Sequence, residues 1–177
     1  TTQVITNERY SAAIVPPAKL GIAFSEGGFS AQDLAKSDKG VAVAINGGYF
    51  DNLNGLLCPV GLLVSDGVAI WMSSLRVANG EDKEREQFGP KAKKESEWYM
   101  AFFVNKDGRA GILPISKLDA RTNSDYDDLQ IACEAGPSIL KSGRVDSAEI
   151  SKRSTGNKSD TRTAIGIREN GDVVLFC

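Results

Sequence analysis

The stretch Ala164–Phe176, AIGIRENGDVVLF, sets two apolar runs on either side of Glu169-Asn170-Gly171. Asn-Gly readily takes the positive φ of a tight turn, so the stretch reads as a β-hairpin. The same arrangement recurs at Ser65-Asp66-Gly67, Lys106-Asp107-Gly108 and Lys141-Ser142-Gly143. Four short-range hairpins in one chain predict a sheet that is substantially antiparallel. The expected fold class is α+β: a sheet-dominated, mixed or antiparallel single domain spanning residues 1–177, with few helices.

Working outward, Ser11–Val15 is a strand ended by Pro16-Pro17, since proline brings no amide donor to a ladder. Leu20–Phe24 reads as a second short strand. Ser30 is placed to cap a helix over Ala31–Lys36, with Asp33 at the third helical position closing a shortened capping box. Val41–Asn46 (VAVAIN) is apolar on both faces and bounded by glycine, which predicts a buried central strand. Glu81–Glu97 and Ser151–Thr161 are charged or polar throughout most of their length and read as surface insertions.

The chain has 177 residues, 41% hydrophobic and 25% charged, with net charge −2. That is a folded domain of ordinary composition. It contains no histidine, which excludes Ser-His-Asp and Cys-His nucleophile systems and His-based zinc motifs. Catalysis must run on carboxylates, Lys, Arg, Tyr, Ser, Thr or Cys. The 21 basic residues do not outnumber the 23 acidic ones, so nucleic acid is not an expected partner. No apolar run approaches the roughly 20 residues of a transmembrane helix. Cys58, Cys133 and Cys177 are too few for a disulfide scaffold and read as buried small side chains, while a Cys58–Cys133 pairing stays open.

Three places put polar groups and glycines where an apolar run ends, as sites commonly do. The first is Asn46-Gly47-Gly48-Tyr49-Phe50-Asp51, where glycines let backbone amides approach a ligand and Asn46 and Asp51 add polar side chains. Its plainer reading is a Gly-Gly turn. In the second, Ile131–Leu140, Glu134 stands inside an apolar run. A carboxylate there is paired, protonated or facing a cleft, unless it lies on the solvent face of a half-buried strand. The third is Asp160–Ile167, where Arg162 could present its fork of donors to a phosphate or carboxylate, or simply be an exposed strand-end arginine.

Taken in order, NGGYFD (Asn46–Asp51), CPVGLLVSDG (Cys58–Gly67), EAGPSILKSGRV (Glu134–Val145) and RTAIGIRENGDVVLF (Arg162–Phe176) resemble the phosphodiester glycosidase family. The resemblance implies a hydrolase cleaving a sugar-1-phosphodiester on a glycan or cell-surface polymer, and a family that includes exopolysaccharide-related proteins acting mostly outside the cytoplasm. It implies Glu134, Asp51 and Arg162 as catalytic groups, with Asn46, Gly47, Gly48, Gly136 and Thr163 holding substrate. The competing expectation is a non-catalytic glycan- or cell-wall-binding module on the same fold.

Family members continue past this point into an Asp-Gly-Gly-Gly-Ser type segment that contributes to the site. The chain ends just after the apolar run Val173–Phe176, so a second polypeptide fragment completing the domain, or a shortened relative, is expected. It opens on Thr1 rather than Met, so something upstream is expected to have been removed, a signal peptide being one candidate. No cofactor is expected. A calcium ion on Asp125, Asp127 and Asp128 would have hard oxygen ligands, but Asp125–Asp128 (DYDD) does not match an EF-hand loop and reads as solvated.

Overall fold

The computed structural model describes residues 2–25, 28, 30–37, 40–53, 56–79, 99–123, 125–147 and 162–177, with backbone alone at 35, 51, 53, 56 and 78. The two predicted insertions, Glu81–Glu97 and Ser151–Thr161, lie outside the described residues.

Strands β1 (Gln3–Thr6), β2 (Ser11–Val15), β12 (Ala164–Ile167) and β13 (Val173–Phe176) form a four-stranded sheet in the order β1-β2-β13-β12, every pair antiparallel. A five-stranded sheet runs β6-β5-β9-β7-β8 and is likewise antiparallel throughout. Its members are β5 (Leu63–Ser65), β6 (Val68–Trp71), β7 (Met100–Asn105), β8 (Ala110–Pro114) and β9 (Leu129–Ala135). Two hairpins stand apart: β3 (Phe50–Leu53) with β4 (Leu56–Pro59), and β10 (Leu140–Lys141) with β11 (Arg144–Val145). The described helices are short: α1 (Ala31–Ser37), α2 (Ser74–Ala78) and α3 (Ile115–Arg121).

All four predicted turns join the strands expected of them. Asp66 and Gly67 both take positive φ, 50° and 76°, as do Ser142 and Gly143 at 49° and 73°, which is the backbone a two-residue hairpin requires. The turns after β7 and β12 close through Gly108 N–H to Asn105 O and Gly171 N–H to Arg168 O, each 2.9 Å. Local chemistry therefore decides these connections. The capping box also forms: Ser30 Oγ accepts the Asp33 amide at 3.1 Å, and Asp33 takes the Ser30 amide and hydroxyl at 3.2 and 2.7 Å. The Ser30 hydroxyl holds the Asp33 carboxyl below the usual carboxylate range.

The five-stranded sheet is packed on both faces. Ala101, Phe103 and Ala132 join Ile115 and Leu118 of α3 in one core cluster, while Phe102, Val104 and Ile131 join Ala13, Val15, Val173 and Leu175 of the other sheet. Period-two alternation along β7 and β9 sends successive side chains to the two cores. The layers are thus helix, sheet, sheet.

Two predicted strands are not strands. Residues 41–46 form no ladder and none is fully buried. Val43 and Ile45 pack partly against the second core, and with Val4, Ala12 and Leu175 they line a shallow pocket. Their apolarity is satisfied by docking side chains on the four-stranded sheet rather than by pairing backbone. Residues 20–24 behave the same way: Leu20 and Ile22 reach that core, but the Ile22 carbonyl accepts from Ser65 Oγ at 2.6 Å. A short 3-10 turn, Pro17–Lys19, immediately precedes them and redirects the chain. Hydrophobicity forecasts burial, and it does not forecast a ladder partner.

Candidate functional site

Glu134 lies one residue from the end of β9, on the face that packs toward α2 and α3. It is 4% exposed, which excludes the solvent-face reading. Its Oε2 accepts from the amides of Leu62 and Ser74, each at 2.9 Å, and its Oε1 accepts from the Ser74 hydroxyl in a short contact. The Glu134 amide donates to Leu62 O at 2.9 Å, so backbone and side chain are tied to the same partner. Burial pushes the carboxyl up to about 7, and the like charge of Asp119 pushes the same way. The bonds from Ser74 and Leu62 favour the ionised form and limit the rise.

Two glycines make this packing feasible. At Gly61, φ is +150° and a Cβ would stand 2.5 Å from Glu134 Oε2. At Gly48 a Cβ would collide with the Glu134 carbonyl oxygen. Only a residue without a side chain lets either segment pass so close to the carboxylate strand. Burial likewise pushes the neighbouring Cys133 thiol up to about 11, with Glu134 adding to the effect. All three cysteines are free, Cys58 buried, Cys133 half-buried and Cys177 exposed, so the open question of a Cys58–Cys133 bridge is answered in the negative. The reading of all three as buried side chains holds for Cys58 and fails at Cys177, whose backbone extends the pairing with Ser11 at the sheet rim.

The three sequence motifs meet around the Asn46–Tyr49 segment. The Tyr49 hydroxyl donates to Gly136 O at 2.7 Å, joining the first motif to the second. Thr163 Oγ1 donates to Asn46 O at 3.4 Å, joining the first to the third. Asn46, Gly47, Arg162 and Thr163 are exposed, while Gly48 and Gly136 are half-buried. Asp51 sits on β3 opposite Cys58, and its side chain lies outside the described residues. Two hydrogen bonds thereby join three separate chain segments, and Gly48 of the first passes against the Glu134 backbone.

The aspartates considered for calcium are engaged differently. Asp127 Oδ2 accepts from Asn123 Nδ2 at 2.8 Å, and Asp128 Oδ2 lies 3.4 Å from Arg121. Among the described residues no three His, Cys, Asp or Glu side chains gather as ligands, and no helix is long and apolar enough to cross a membrane.

Sequence reading missed Ser74, Gly61 and Tyr49. A signal for the first exists, since Ser73-Ser74 precedes Leu75-Arg76-Val77-Ala78 as a capping residue precedes a helix; Ser73 Oγ does accept the Arg76 amide at 3.1 Å. Nothing local connects that turn to Glu134, 60 residues away.

The model of the phosphodiester glycosidase family matches residues 39–177, a span holding every motif described above, and the chain belongs to that family. No curated protein matches the chain.

Proposed function

We propose that the protein hydrolyses the bond between a sugar's anomeric carbon and a phosphodiester oxygen, on a glycan or cell-surface polymer outside the cytoplasm. The observation that supports this most is Glu134, a buried carboxylate held by three donors on the strand that Gly48 and Gly61 closely approach, in a chain of the phosphodiester glycosidase family. Ionised Glu134 takes a proton from the attacking water as the water oxygen bonds to the anomeric carbon. The carbon–oxygen bond to phosphorus breaks with its electron pair on the phosphate, which leaves as a phosphomonoester. Such a leaving group needs charge neutralisation more than protonation, and Arg162 supplies it to the non-bridging oxygens. Asp51 stabilises the oxocarbenium-like centre, as paired carboxylates do in glycoside hydrolysis. Asn46, Thr163 and the amides of Gly47, Gly48 and Gly136 hold sugar hydroxyls or phosphate oxygens.

The test compares a chromogenic sugar-1-phosphodiester with the aryl glycoside of the same sugar. Turnover of the first at least a hundredfold faster is expected, and equal rates would remove the role given to Arg162. A second reading, a glycan-binding module without turnover, draws support from the same carboxylate, whose oxygens are already engaged by the chain's own donors. It predicts saturable glycan binding by calorimetry with no product from either substrate.

A further inference from the structure

Two of the three donors on Glu134 come from one residue. The Ser74 amide meets Oε2 at 2.9 Å and its hydroxyl meets Oε1, so a single residue bridges both oxygens and sets the plane of the carboxylate as well as its charge. Ser74 is itself 4% exposed.

The turn that carries it is locked from the other side. Ser73 Oγ donates to Asp119 Oδ2 on α3 at 2.5 Å, and the Ser73 amide lies 3.3 Å from the Tyr126 hydroxyl, which donates to Asp119 Oδ1 at 2.9 Å. Arg76 completes the group, with Nε 3.6 Å from Asp119 Oδ1 and its guanidinium 4.6 Å from the Tyr126 ring centroid. Ser73 and Tyr126 are wholly buried. Among the described residues, the titratable groups on this side of the sheet are Asp119 from α3, Arg76 from α2, Tyr126 ahead of β9 and Tyr99 ahead of β7, with Cys133 next to Glu134 in β9. Asp119 is already engaged by Ser73, Tyr126 and Arg76, and burial pushes both the Tyr126 phenol and the Cys133 thiol up, keeping them neutral. The nearest side-chain group favouring a charged Glu134 is the Ser74 hydroxyl.

We propose that Ser74 is a positioning residue for hydrolysis: its amide and hydroxyl, on a turn locked to α3 through Ser73 and Asp119, hold the Glu134 carboxylate ionised and in one orientation. The inference rests on the reading of Glu134 as the proton acceptor.

Ser74→Ala removes the hydroxyl and keeps the amide. With a chromogenic sugar-1-phosphodiester, the acidic limb of the kcat/KM profile should move up by about one pH unit, and kcat at neutral pH should fall roughly tenfold with KM little changed. Ser74→Thr should restore both. Independently of turnover, the carbon-13 carboxyl signal of Glu134, assigned by its loss in Glu134→Gln, should titrate about one pH unit higher in Ser74→Ala. Ser74→Cys, nearly isosteric and a weaker donor, takes the same measurements if the alanine variant does not fold. An unmoved limb and an unmoved carboxyl midpoint in a folded variant overturn the inference while leaving an inactive Glu134→Gln to uphold the reaction. Full activity of Glu134→Gln overturns the proton-acceptor reading, and the role of Ser74 in the reaction with it.

Discussion

Glu134 and Arg162, the two charged residues proposed to act on substrate, are built in opposite ways. Glu134 stands on a strand buried between two cores and receives three hydrogen bonds from Leu62 and Ser74. Arg162 stands exposed two residues before β12, and Thr163 beside it donates to the Asn46 carbonyl at 3.4 Å. A proton-handling group benefits from a dry, preorganised setting, because its charge state is then decided by fixed donors. A group that meets a phosphate must stay open to solvent and substrate.

Glu134→Gln should lower kcat/KM on a sugar-1-phosphodiester by about a thousandfold. A loss under tenfold would place the chemistry elsewhere. Arg162→Ala should cost on the order of a hundredfold, because one charge-stabilising donor is removed from the transition state. The decisive readout is whether the loss shrinks on an uncharged aryl glycoside; an equal loss on both would deny a phosphate role.

Gly61→Ala puts a Cβ against Glu134 Oε2 at a strained φ, and urea titration should show a loss of about 2 kcal/mol together with reduced activity. The pH dependence follows from the sign of the Glu134 shift. Its carboxyl rises from an ordinary 4.5 to about 7 on folding, so between those values the folded chain binds more protons than the unfolded one. The stabilisation it contributes is full below about pH 4.5 and is lost as pH rises through about 7. In Glu134→Gln the slope of melting temperature against pH across that window should flatten; an unchanged slope would show that other groups carry it. The smallest effect is expected at Thr163→Val, with stability within about 0.5 kcal/mol of the parent. A larger cost would mean that the exposed half is held as firmly as the buried one.

Much of the sheet was legible because its signals are local. Asp66-Gly67, Asp107-Gly108, Ser142-Gly143 and Asn170-Gly171 each turn the chain within a few residues, and Ser30 with Asp33 starts α1 as capping chemistry predicts. Val41–Asn46 misled for the complementary reason: its apolar pattern reports a need for burial, which Val43 and Ile45 meet by packing across the second core without a ladder. Glu134 was visible as an anomaly, a charge in an apolar run, but its resolution was not. Leu62, Ser74 and Asp119 come from three other segments, and no spacing rule joins them to it.

The hairpins, the absence of histidine and the family to which the chain belongs are all readable along the chain, since turn residues and ordered motifs act through the identities of neighbouring residues. Tertiary structure alone decided that Glu134 is buried rather than solvent-facing, that Ser74 grips both its oxygens, and that Tyr49 and Thr163 draw three motifs together. The physical reason is that a buried charge takes its state from whichever donors the folded chain brings within 3 Å of it, and those donors are set by packing between layers rather than by distance along the chain.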